Sequence, residues 1–183
     1  MAIEVGILGF AHGHVMAFGG NWQKHPEMGV HIAMGWDADY ERAQKSAETL
    51  GTVAVKTADE ILDNPDIQAV VITSETKYHT ELAIRAAKAK KAIIMYKPMA
   101  LTLKEADEIV AAVEENKVPF TMGYQMRVDP QNIKIKELIK DKAIGETYVY
   151  RRRHALSTHT WDNFQDTWHA NAELNREIGR AHV

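Results

Sequence analysis

The stretch Val5-Gly6-Ile7-Leu8-Gly9-Phe10-Ala11-His12-Gly13-His14 decides how the rest of the chain is read. Val5 to Leu8 is an apolar run with the look of a buried strand, and it stops abruptly in small residues. Gly9 to Gly13 has the composition of a tight turn, and His14 to Trp22 begins a helix. A strand, a glycine turn and a helix in this order form the opening of a dinucleotide-binding βαβ unit. In such a unit the turn's backbone amides face a pyrophosphate, and the helix N-terminus favours its charge. Gly9, Phe10, Ala11, His12, Gly13 and His14 are therefore candidate cofactor contacts. The fit to G-x-G-x-x-G is partial. Gly9 fills the first place, Ala11 the second and His14 the third, with Gly13 one step early. A methyl at Ala11 moves the pyrophosphate outward, and His14 either loosens the helix-strand packing or turns out towards the phosphates. The alternative is a buried strand and a turn with no ligand.

Outward from this unit the chain alternates. Gly29 to Trp36 is an apolar run closed by Asp37, and Asp39 to Leu50 is helical until Gly51. Val53 to Val55 is a short strand, and Thr57 with Glu60 opens a short helix towards Leu62. Ala69 to Thr73 is continuous and β-branched, as in a strand buried on both faces. Tyr78 to Lys91 is helical, Ala92 to Met95 a strand ending at Tyr96-Lys97-Pro98, and Thr102 with Glu105 a capping box for the next helix. Pro119 to Met122 is a strand ending at Gly123. Strand-helix alternation of this kind predicts a parallel, doubly wound α/β sheet of Rossmann type over residues 1–124. The character changes after Tyr124. A helix is expected from Asn132 to Lys142, with Ile135, Leu138 and Ile139 inward. Thr147 to Arg153 alternates like a two-faced strand of an open sheet. Residues 125–183 thus read as the incomplete N-terminal part of a second unit, whose aromatic residues Tyr148, Tyr150 and Trp161 call for burial against something beyond it.

The 183 residues carry a formal net charge of -3, are 45% hydrophobic and include no cysteine. A chain of that length buries one good core. Mild acidity without basic clustering argues against nucleic acid as a partner, and no apolar run has lipid-spanning length. Glu4 and the early glycines argue against a signal peptide, so a cytoplasmic protein is expected. Disulfides and thiolate metal sites are excluded. The nine histidines show no i, i+4 pairing with a carboxylate, and no metal site is expected.

Ligands of doubly wound sheets bind at the carboxyl ends of the strands. Asp37 stands at such an end, where a carboxylate accepts ribose hydroxyls and repels a 2′-phosphate. That favours NAD over NADP, with Arg42 leaving NADP open; the plainer role for Asp37 is a helix N-cap. Lys97 follows a buried strand, where partial desolvation lowers a lysine pKa and suits it to acid/base work. Lys-Pro also invites a cis bond, which would set the lysine's direction. The plainer reading is a surface lysine before a turn.

In this order, the Gly9 turn, Asp37, Thr73-Ser74-Glu75 with His79, Met95-Tyr96-Lys97-Pro98-Met99-Ala100 and Gly123-Tyr124-Gln125-Met126-Arg127 resemble the Gfo/Idh/MocA oxidoreductases. The resemblance implies an N-terminal Rossmann domain followed by an α/β domain on a mainly antiparallel sheet. It implies hydride transfer to or from a sugar, cyclitol or related polyol, with NAD or NADP as cofactor. Lys97 corresponds to the lysine of the family's E-K-P segment and would be catalytic. Thr73, Ser74, His79, Lys97, Gln125 and Trp168 fall where cofactor contacts are expected, and a homo-oligomer is the expected assembly. Tyr96 stands in place of the glutamate of E-K-P, Ser74 where a proline is usual, and His169 where an arginine commonly follows the tryptophan. The family's catalytic aspartate and histidine belong to a helix expected beyond Val183, so the chain corresponds to the cofactor-binding half. The other reading is a dinucleotide-binding or structural relative without catalysis.

Overall fold

In the computed structural model, residues 2–153 and 163–175 are described. The centre of the fold is β1 (Ile3–Leu8), flanked by β2 (Val30–Trp36) and β4 (Ala69–Ile72). β3 (Val53–Ala54) lies outside β2, and β5 (Ala92–Met95) and β6 (Phe120–Met122) lie beyond β4. All six strands are parallel, in the order β3-β2-β1-β4-β5-β6. The chain runs outward from β1 to β3 and then returns across to β4. The direction of winding therefore reverses between β1 and β4, and the crevice above that point is where such sheets take ligands.

Both faces of the central strands are covered, so alternate residues enter different cores. Val5, Ile7, Ala69 and Val71 pack with Val15, Ala43 and Leu50 beneath α1 (His14–Lys24) and α2 (Tyr40–Thr49). Leu8, Val70 and Ile72 pack with Ile61, Leu82 and Ile109 beneath α3 (Asp59–Leu62), α4 (His79–Lys88) and α5 (Leu103–Asn116). Capping follows from side chains. Asp39, not Asp37, caps α2 by accepting from the Arg42 amide. Thr102 and Glu105 form the expected box on α5. The helix expected up to Lys91 ends at Lys88. Lys90 adopts a left-handed conformation, and the Lys91 ammonium turns inward to donate to the carbonyls of Asn64 (2.6 Å) and Ile67 (2.8 Å).

After β6 the described chain makes little further core. α6 (Pro130–Lys140) starts and stops two residues before the expected helix and buries none of its residues. Leu138 and Ile139, expected inward, are exposed, because nothing among the described residues covers that face. Thr147 to Arg153 is not in a ladder, contrary to the strand expected there. A strand needs a neighbour for its hydrogen bonds, and no second sheet is present among the described residues. Trp161 and residues 176–183 lie outside the described part. No described helix is long and apolar enough to cross a membrane.

Candidate cofactor and catalytic site

The turn after β1 is shaped by close approach. Gly9 has φ +100°, and a Cβ there would sit 2.3 Å from the Ser74 Cα, so only glycine fits. The turn is tied down on both flanks. The Gly9 amide donates to the Trp36 carbonyl and the His12 amide to the Thr73 carbonyl, while the Thr73 hydroxyl donates to the Gly9 carbonyl. The amides of Ala11 and Gly13 meet no acceptor among the described residues, and a Cβ on Gly13 would meet nothing within 4 Å. Helix α1 has no side-chain cap and no acidic residue in its first turn. Open space and unused donors at a helix start fit the pyrophosphate of a dinucleotide.

Asp37 sits at the end of β2 with its side chain fully covered. Oδ2 accepts from the Phe10 amide (2.5 Å) and Arg42 Nε (2.9 Å), and Oδ1 from the Asp39 amide (2.8 Å) and Arg42 Nη2 (2.6 Å). Two bonds on each oxygen use the carboxylate's acceptor positions. Asp37 therefore holds the β1 turn and Arg42 in place, and presents no spare oxygen to a ribose. Arg42 also donates from Nη2 to Glu75 Oε1 at 2.6 Å. The guanidinium so bridges the ends of β2 and β4 across the turn of β1. Burial lowers its pKa, but the two carboxylates outweigh that and hold it above its already high ordinary value.

On the other side of the crevice, His79 is buried at the start of α4, facing the carbonyls of Pro98 (2.8 Å) and Ser74 (3.1 Å). It is a strut between the β4 loop and the segment after Lys97. Burial pushes its pKa below the ordinary imidazole value. Lys97 is half-buried just past β5, and its bond to Pro98 is cis, as the sequence invited. Gln125 opens a short 3-10 turn after β6 and borders an apolar cavity of about 280 Å³ between Phe18, Ile94 and Tyr124.

Tyr96 lies flat in this arrangement. A Cβ on Gly123 would come within 2.8 Å of its ring, so the glycine makes room for it. The ring packs on Phe18, His12 and His14, and burial raises the phenol pKa. From far along the chain, Trp168 donates its indole N–H to the Ala11 carbonyl at 2.8 Å and stacks on His169. The Thr76 hydroxyl meets the Asn175 side-chain oxygen at 3.1 Å, and the Lys77 amide donates to the Leu174 carbonyl. Residues 168–175 thus dock on the β1 turn and the β4 loop. The structure brings the Gly9 to His14 turn together with Thr73, Ser74 and Trp168. The Arg42–Glu75 bridge and the Tyr96 stack had no signal in spacing, because each joins residues from separate elements. No group of three or more histidine, aspartate or glutamate side chains able to hold a metal occurs among the described residues.

A parallel sheet reversing at β1, with an uncapped glycine turn beneath a docked tryptophan, defines a nucleotide-binding protein of the Rossmann class. Residues 3–124 match the Gfo/Idh/MocA oxidoreductase family, described by its NAD-binding Rossmann fold, and the chain belongs to that family. It is 33% identical over 116 residues to a myo-inositol 2-dehydrogenase of Thermotoga maritima, covering 63% of this chain and 35% of that protein. It is 30% identical over 132 residues to an inositol 2-dehydrogenase of Arthrobacter sp., covering 71% of this chain and 39% of that one. The solved structure of a levoglucosan dehydrogenase in complex with NADH and levoglucosan superposes with a TM-score of 0.73 at 27% identity, covering 79% of this chain and 41% of that one. The chain spans well under half the length of these relatives.

Proposed function

We propose that this chain is the cofactor-binding part of an NAD(P)-dependent oxidoreductase acting on a carbinol of a sugar, cyclitol or related polyol. The observation that carries this is the turn from Gly9 to Gly13, with open amides at the start of an uncapped α1. Hydride exchange with a carbinol carbon is the chemistry the dinucleotide supplies when bound. This chain's residues do the rest. The Ala11 and Gly13 amides hold the pyrophosphate. Thr73 and Ser74 flank the turn at Gly9, and Trp168 covers it at Ala11. Lys97 Nζ hydrogen-bonds the reacting hydroxyl and carries its proton. NAD is the favoured cofactor. Residues 1–124 form the cofactor domain and 125–183 the beginning of a substrate and dimerisation domain, in a homo-oligomer.

A second reading is a dinucleotide-binding or structural relative without turnover. Tyr96 favours it, since its phenol stands where the family's glutamate is expected and is packed against aromatic rings. Titration of NADH fluorescence followed by turnover assays on a panel of polyols separates the two. In a catalytically complete length of the protein, the proposed enzyme binds NADH and turns over a polyol, and Lys97→Ala lowers kcat by about 10²–10⁴ with NADH affinity nearly intact. Binding without turnover supports the second reading, and absence of binding removes the cofactor role.

A further inference from the structure

The cluster of Asp37, Arg42 and Glu75 contains one group that its contacts leave unexplained. Glu75 is 6% exposed, and its Oε1 accepts from Arg42. Its other oxygen, Oε2, is buried and has no hydrogen-bond partner among the described residues. A buried carboxylate oxygen without a donor is costly, so a donor is called for. The place is specific. Asp37 ends β2 and Glu75 follows β4, on either side of β1, and Arg42 joins them beside the Phe10 amide. Adenosine of a dinucleotide lies on the β2 side of the pyrophosphate turn. Asp37, at the usual position for ribose, has no acceptor left.

We propose that Glu75 sets the choice between NAD and NADP: it pins Arg42 against Asp37, out of service for a 2′-phosphate, and its second oxygen takes a hydroxyl of the adenosine ribose. The inference rests on the cofactor reading above. Two carboxylates and one guanidinium leave the cluster with a net charge of -1, which repels a phosphate dianion. Arg42 alone would invite one, since its guanidinium matches phosphate geometry and its side chain is 30% exposed. Removing the Glu75 charge brings the cluster to neutrality and loosens its hold on Arg42 Nη2.

The test is equilibrium titration with NADH and with NADPH, followed by nucleotide fluorescence. The wild-type chain binds NADH more tightly than NADPH. The isosteric Glu75→Gln, with Glu75→Ala as a second variant, weakens NADH and strengthens NADPH, shifting the ratio of the two dissociation constants by about tenfold. Adding Arg42→Gln to Glu75→Gln abolishes the NADPH gain. A wild-type preference for NADPH overturns the inference. So does a ratio unmoved in both Glu75 variants, or an NADPH gain that persists without Arg42. If the wild type binds neither nucleotide, the cofactor reading itself fails, and the inference falls with it.

Discussion

A neutral imidazole has one N–H, and His79 faces two carbonyls, of Pro98 and Ser74. Protonation would satisfy both, but burial opposes the charge and prevails. The folded state therefore binds this proton less readily than the unfolded chain. Below the ordinary imidazole value of 6.5 the unfolded chain gains a proton that the folded one resists, so stability falls as pH drops through that range. Thermal melts between pH 8 and pH 5 check this. His79→Gln keeps a donor and loses the titration, so it starts with a lower midpoint at neutral pH and declines less steeply on acidification. Parallel declines in the two proteins would assign the effect to other groups. At this scale the sequence marks which residues matter better than what they do. Asp37 and His79 are at the expected strand and helix ends, yet both are consumed by internal bonds. Those bonds come from Phe10, Arg42 and Pro98, whose proximity only the fold creates.

Three of the described helices end on a lysine where glycine is the residue of least cost. Lys90 after α4, Lys117 after α5 and Lys142 after α6 have φ of 60°, 55° and 51°. An L side chain in that conformation carries a backbone penalty that glycine escapes. At the end of α5 the Lys117 and Val118 amides donate back to the Glu114 and Val113 carbonyls, closing the turn around an exposed side chain. Lys117→Gly should raise stability by roughly 0.5–1 kcal/mol, after allowing for glycine's greater freedom in the unfolded chain. A rise in the urea midpoint with an unchanged slope is the expected result. A fall would mean that the lysine side chain does work its exposed position does not disclose. Elements up to β6 were legible because each carries its own periodicity and cap. Ala69 to Ile72 is continuous and apolar, and Thr102 with Glu105 marks the start of α5. Thr147 to Arg153 has the alternation of a strand too, but pairing is a property of two segments, and alternation in one cannot create the other.

At the scale of the molecule, the chain divides into a well-buried sheet and an exposed extension that returns to it. Tyr148 is 89% exposed and Val149 71%, and neither these residues nor α6 contributes to either core. Residues 168–175 then dock on the β1 turn and the β4 loop through Trp168, Leu174 and Asn175. The contact between Trp168 and Ala11 spans 157 positions, which is why no local pattern in the sequence pointed to it. A protease needs several residues of accessible, unpaired backbone, and Arg151-Arg152-Arg153 offers three basic side chains on such a segment. Brief digestion of the native protein with trypsin should therefore cut among Arg151 to Arg153 before any site between Ile3 and Met122. The fragments are identified by mass. Sedimentation of the intact chain at the same concentration gives the second reading. A monomer cut rapidly there has the exposed extension seen here. An oligomer resistant at those three arginines would have buried Tyr148 and Tyr150 between its subunits, as the expected homo-oligomer requires. A monomer resistant at the arginines but cut inside the sheet would contradict the division between core and extension.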